Sequence, residues 1–197
     1  MKQLLFILVL VANLSIWAQE EIRYKIDTEA SSLEWKGSKP TGSHTGTVGI
    51  LDGVLTAENG GLHGSFSVDL NDMVCTDIDD PTSAADLVEH LQGEDFFDTI
   101  LYPTATFDII SCEIRMGNDG PIGYHVYGNL TIKGITHPVD FPLAIDIIEG
   151  GLHCTGELVI VRTKWGINYK SKSVFSALKD QFIFDDIDLK IDLTVRL

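Results

Sequence analysis

Few residues of this 197-residue chain have types and spacing suited to chemistry. The six histidines are scattered, with no HExxH pair and no cysteine at ligand spacing. The acidic run Asp69, Asp72, Asp77, Asp79, Asp80 lacks the central Gly and terminal Glu of a calcium loop, so the sequence predicts no metal. No GxSxG elbow, Gly-rich phosphate loop or dinucleotide fingerprint occurs, and no cofactor is predicted. His44, set between Gly42 and Gly46, and His90 are the candidates for a general base, with Asp69 or Asp77 as partner. No nucleophile accompanies them, so the expectation is a protein that is not an enzyme. What the sequence offers instead is aromatic. Trp35, Phe66, Phe107 and Phe141 fall on apolar-phase positions, with Phe96-Phe97 beside them, and such rings either fill a core or line a pocket for a long apolar ligand.

These rings need strands to hold them. From Tyr124 to Ile147 the chain alternates at period two in two arms: Tyr124, Val126, Leu130 and Ile132 on one side of the first, Val139, Phe141, Leu143 and Ile145 on one side of the second. That predicts a β-hairpin, with Gly134-Ile-Thr-His137 as its loop and one-sided or irregular pairing near Pro138 and Pro142. Gly128, on the apolar side, predicts a bend.

The same pattern recurs over Ile22–Ile26, Leu33–Lys36, Val48–Thr56 with a turn or bulge signal at Asp52-Gly53, His63–Leu70, Ala105–Ile114, Leu152–Val161 and Ile187–Leu197. Gly37, Gly42, Gly46 and Gly49 read as punctuation between strands, and Asn59-Gly60-Gly61 as a tight turn. One helix is predicted, with Ser83 as its N-cap, Leu87, Val88 and Leu91 on one face and Gly93 at its end; a single apolar stripe requires it to pack on the strands. Eight or nine strands joined mostly by short turns predict an all-β antiparallel fold, either a sandwich or a closed barrel, and closure has the advantage of removing exposed edges.

Lys2 followed by the apolar run Leu4–Val11 and a possible cut at Ala18-Gln19 reads as a secretory signal peptide over residues 1–18, leaving one domain over 19–197 and a periplasmic or secreted location. The net charge of −15, made one unit more negative by loss of Lys2, disfavours nucleic acid and anionic lipid surfaces, and no later stretch is long enough to span a membrane. Cys75, Cys112 and Cys154 allow at most one internal disulfide and read as small buried residues. The sequence leaves the oligomeric state, monomer or dimer, open.

Six segments lie in the order and spacing of a known family: Trp35-Lys-Gly37 with Gly42-Ser-His-Thr-Gly46; Gly64-Ser-Phe-Ser-Val-Asp69; His90-Leu91 followed by Phe96-Phe97; Tyr102-Pro-Thr-Ala-Thr-Phe107; Gly128-Asn-Leu-Thr-Ile-Lys-Gly134; and Arg162-Thr-Lys-Trp-Gly166. On these the chain resembles the YceI-like, polyisoprenoid-binding family over nearly all of residues 19–197, although Lys164 and Trp165 stand where the family form has an acidic residue and a phenylalanine. The resemblance implies an eight-stranded, lipocalin-like antiparallel β-barrel that carries an isoprenoid or fatty-acid-like lipid in its lumen. With that fold, Trp35, Phe66, Phe107, Phe141 and Trp165 are expected on the lumen wall beside Val126, Leu130, Ile132 and Leu143. Leu91, Phe96 and Phe97 are expected at the mouth, and His44 on a polar head group. The rivals are an enzyme acting on such a lipid through a histidine base, and a filled barrel acting as a stress or interaction protein.

Overall fold

A computed structural model describes residues 21–58, 61–118, 120–175 and 181–197. The expected leader and Asn59-Gly60 of the expected turn lie outside them. The strands are β1 (Ile22–Ile26), β2 (Ser32–Lys39), β3 (Gly42–Glu58), β4 (Gly61–Cys75), β5 (Thr104–Gly117), β6 (Gly120–Ile132), β7 (Ile135–Ile148), β8 (Gly151–Val161) and β9 (Asp186–Arg196). Helix α1 (Pro81–Gln92) follows β4, and a 3-10 turn (Arg162–Trp165) follows β8.

All strand pairings in the ring are antiparallel, in the order β3-β2-β9-β8-β7-β6-β5-β4 with β4 returning to β3. β1 pairs with Val54–Ala57 of β3 and with the end of β9 (Lys25 opposite Arg196, Ile26 opposite Val195), so it continues the course of β2 and nine strands make an eight-position barrel. The break between the two half-strands is pinned by an ion pair from Arg196 Nε to Asp27 at 2.8 Å and by the Thr194 N–H donating to Ser31 Oγ at 2.9 Å. Closure leaves no long free edge.

β3 bends around the barrel through register shifts at Val48/Gly49 and Ile50/Asp52, close to the irregularity expected at Asp52-Gly53. It also starts earlier than its sequence suggests. Gly42 and Gly46 sit inside the strand rather than before it, and at Gly46 a Cβ would meet the Val74 carbonyl oxygen and the Trp35 ring, so a glycine read as loop punctuation serves there as a point of close approach.

The central hairpin forms with Tyr124 opposite Leu143 and Ile132 opposite Ile135. Its turn is the two-residue Lys133-Gly134, with φ of 51° and 70°, rather than the four-residue loop expected. Lys133 takes the left-handed conformation because a two-residue hairpin turn of this kind requires positive φ at both residues. Its Nζ donates to the carbonyl oxygens of Phe96 at 2.8 Å and Glu94 at 3.2 Å, a tertiary contact invisible in the local sequence. Pro138 and Pro142 lie on the part of β7 that pairs with β6 alone, since pairing with β8 starts at Leu143.

Helix α1 is capped by Asp80, whose Oδ2 accepts from the Ser83 N–H at 2.8 Å and the Ser83 hydroxyl at 2.7 Å, and Pro81 opens the helix. Ser83, expected as the cap, is the residue that donates to it. The helix lies against β4: Val88 and Leu91 join the main core, and Gln92 Nε2 donates to Leu70 O at 3.2 Å and Asn71 O at 3.0 Å. The helix, the 3-10 turn and the β2–β3 and β6–β7 turns gather at one end of the barrel; the β3–β4, β5–β6 and β7–β8 turns gather at the other.

Candidate functional site: lumen and rim

The inward faces of the strands enclose a cavity of about 360 Å³. Its wall runs from Ile26, Leu55 and Val195 at one end to Phe96, Phe97 and Phe184 at the helix-bearing end. β9 supplies Ile187, Leu189, Ile191, Leu193 and Val195, every second residue, which is what an uninterrupted alternation must do once one face turns inward. The volume falls in the range of small-molecule pockets, and apolar walls of this kind favour an apolar occupant over water.

Twelve of the residues selected from the sequence lie on this wall. Trp35, Phe66, Phe107 and Phe141 come from four different strands; Val126, Leu130, Ile132 and Leu143 come from the central hairpin. Leu91, Phe96 and Phe97 close the helix-bearing end, and His44 stands at its rim. Trp165 is the exception. The 3-10 turn lifts it out of the strand alternation, so it does not line the cavity; it is 1% exposed, donates its indole N–H to Leu130 O at 3.1 Å and stands edge-on to His137 at 5.3 Å.

Three of the wall aromatics share a device. A Cβ on Gly46 would overlap the Trp35 ring, one on Gly53 the Phe66 ring, and one on Gly128 the Phe107 ring. Each ring therefore lies along the wall over a glycine of the adjacent strand instead of projecting across the lumen. Gly128 serves as clearance for a ring, and the irregularity of the β5–β6 ladder between Ile109 and Ser111, opposite Gly128 and Tyr127, falls where the bend was expected.

The rim at the helix-bearing end is polar, formed by Ser38, Lys39, Ser43, His44 and Asp186. His44 Nδ1 is 3.3 Å from Asp77 Oδ2, while Asp77 Oδ1 accepts the Thr45 N–H at 3.1 Å and the Cys75 thiol at 3.2 Å. Burial alone would raise the Asp77 pKa, but these three donors hold it below the usual carboxylate value. Burial, joined by the neighbouring Asp77, pushes the Cys75 thiol up. Of the two candidate bases, only His44 reaches the cavity, and its partner is Asp77, not Asp69. His90 instead packs edge-on to Phe96 and Tyr169, 3.4 Å from Asp95.

One wall residue of consequence was not singled out from the sequence. Arg162, 1% exposed, donates from Nε to Phe184 O at 3.1 Å, from Nη1 to Ile167 O at 2.8 Å and from Nη2 to Ile183 O at 3.1 Å, with Asp185 Oδ1 3.3 Å from Nη2. It thereby holds the backbone of Ile183 and Phe184, two residues of the cavity wall, across the barrel end. Its signal in the sequence was its place at the head of the segment Arg162-Thr-Lys-Trp-Gly166 that carries the family resemblance, where Gly166 ends the 3-10 turn at φ 74°. Cys112 and Cys154 also line the lumen, and none of the three cysteines is in a disulfide. Burial pushes the Cys154 thiol up to about 11.

A family model described as a YceI-like domain matches residues 24–195. Among solved structures, BcnA of Burkholderia cenocepacia superposes with a TM-score of 0.66 at 20% identity, covering 86% of this chain and 98% of that one. A polyisoprenoid binding domain from Saccharophagus degradans, implicated in plant cell wall breakdown, superposes with a TM-score of 0.64 at 18% identity, covering 88% of this chain and 97% of that one. A 58-residue stretch is 41% identical to a UPF0312 protein of Yersinia pestis (strain Pestoides F); the match spans 29% of this chain and 28% of that protein's length.

Proposed function

The chain belongs to the YceI-like family, and from that premise we propose that it is a binding or carrier protein which holds the apolar tail of a long-chain isoprenoid or similar amphiphilic lipid inside the barrel. The observation that carries this reading is the cavity of about 360 Å³ running along the barrel, walled by aliphatic and aromatic side chains and bordered by polar groups at one end. Removing a tail from water into such a wall stabilises the complex by roughly 25 cal/mol per Å² of apolar surface, or about 0.8 kcal/mol per methylene. Ser38, Lys39, Ser43 and His44 offer hydrogen bonds where a head group emerges. The solved relative from Saccharophagus degradans is named for polyisoprenoid binding, which fits an occupant of this kind. The reading assigns no bond-making step to the protein. It includes export: residues 1–18 act as a cleaved leader and the mature protein works in the periplasm or outside the cell.

Native mass spectrometry and lipid extraction on protein purified from its own cell envelope test both parts. The expected result is a mature chain beginning at Gln19, carrying an extractable lipid close to one per chain. Protein that arrives empty, with no lipid in the organic phase, overturns the carrier reading; an unprocessed N-terminus overturns export.

A further inference from the structure

We propose that His44, Cys75 and Asp77 form a binding site for zinc or a similar borderline divalent ion at the rim of the barrel. The ligand atoms of the three side chains all lie within 4.8 Å of one another, and among the described residues no other His, Cys or acidic trio converges in this way. Cys75 Sγ and His44 Nδ1 lie 3.2 Å and 3.3 Å from the two oxygens of the Asp77 carboxylate. The His44 Nδ1–Asp77 Oδ2 separation is close to the edge of a tetrahedron with metal bonds of about 2.0–2.3 Å. Cys75 Sγ, now against Oδ1 and within 4.8 Å of the other two ligand atoms, reaches the same ion by rotation of its side chain.

The donor set selects the class of ion. One thiolate, one imidazole and one carboxylate suit zinc and its neighbours, whereas calcium and magnesium require sets of oxygens. Three protein donors leave one tetrahedral position for water, the arrangement of an open site rather than a closed structural one. On binding, the Cys75 thiol proton passes to solvent and the sulfur–metal bond replaces its hydrogen bond to Asp77.

The backbone holding these groups is already fixed. Gly46 pairs with Cys75 across β3 and β4, the Thr76 N–H donates to Thr45 O at 2.9 Å, and the Thr45 N–H donates to Asp77 Oδ1 at 3.1 Å. Coordination through Oδ2 leaves that last bond in place to orient the carboxylate, as outer hydrogen bonds do at metal sites. The other histidine–aspartate pairs, His90–Asp95, His125–Asp140 and His153–Asp192, include no thiol. The linear sequence hides the trio because His44 lies on β3 while Cys75 and Asp77 lie at and just beyond the end of β4.

Titration of the full chain with Zn²⁺, and with Co²⁺ as a spectroscopic reporter, tests the assignment, with folding of every variant checked by its melting curve. The expected result is one tightly held ion per chain and an affinity at least about 100-fold weaker in Cys75→Ser and in His44→Gln. Co²⁺ should show a thiolate charge-transfer band that Cys75→Ser abolishes, and His125→Ala, outside the site, should bind as the parent does. No Zn²⁺ uptake overturns the proposal. So does uptake that both site variants retain, or a Co²⁺ complex without the thiolate band, either of which means an adventitious ion only.

Discussion

The ring of Phe107 on β5 occupies the space over Gly128 on β6, so that any Cβ at position 128 would overlap both the ring and the carbonyl oxygen of Asp108. This relationship keeps the lumen open. A ring laid along the wall covers backbone, whereas the same ring displaced inward would meet Phe141, whose centroid is 5.6 Å away.

Gly128→Ala should therefore act on both stability and capacity. Overpacking of a close-packed site costs about 1 to 3 kcal/mol, and the displaced Phe107 ring should shorten or exclude the bound tail. Urea unfolding and extraction of bound lipid measure the two effects. An alanine variant as stable and as well loaded as the parent would show that the glycine does not set the ring's place.

How much of this could be read from the chain depends on whether the determining contact was local. The alternation of Ile187 to Val195 and of the central hairpin is dictated by burial of one strand face, so these inward faces were legible. The turn at Lys133-Gly134 was misplaced because lysine is an unusual residue at a positive-φ turn position, and its side-chain bonds to carbonyls of the loop after α1 are not local in sequence. Trp165 was assigned to the wall by its type, but it sits on a 3-10 turn where strand phase says nothing. The convergence of His44 with Cys75 and Asp77 comes from the pairing of β3 with β4, and no local spacing announces it.

Arg162 is expected to hold the barrel end shut. Its three donated hydrogen bonds end on backbone carbonyls of Ile167, Ile183 and Phe184, and removing one partner of a buried charged network costs about 3 to 5 kcal/mol. Arg162→Ala should lose stability of that order; Arg162→Lys should lose less, because it keeps a positive charge near Asp185, but not nothing, because an ammonium cannot reach three carbonyls in a fork. The amides of Ile183 and Phe184, bonded to Lys170 O and Ser38 O at 2.9 Å each, should exchange faster in Arg162→Lys. Unchanged protection at those two amides would mean that the segment is held by other contacts.

The Cys154 thiol predicts a loss of stability at high pH. Its folded pKa, raised from 9.0 to about 11 by burial and by the nearby Cys112 and Asp146, lies above the unfolded value, so the fold favours the neutral thiol. Its contribution is full below the unfolded pKa of about 9 and is lost as pH rises toward the folded value, a change on the order of 2 kcal/mol. The quantity to measure is the difference between the parent and Cys154→Ala, in which the contributions of all other groups cancel. The alanine variant should show the flatter decline between about pH 8 and about pH 11, and parallel curves would count against a buried neutral thiol.

Phe141 decides between a filled and an occupied barrel. Its ring is 5% exposed, lies on the lumen wall and meets Phe107 at an interplanar angle of 47°. If protein atoms alone fill the space around it, Phe141→Ala leaves a cavity and costs about 3 to 5 kcal/mol. Phe141→Trp would then cost about 1 to 3 kcal/mol through overpacking. If a lipid tail is the ring's inner neighbour, the added bulk of tryptophan is taken up by the mobile occupant. The variant should then keep its stability while retaining less lipid or a shorter chain. Melting curves paired with lipid extraction on parent and both variants separate the outcomes. A destabilised Phe141→Trp protein, with no lipid recovered from it or from the parent, leaves the filled barrel as the answer.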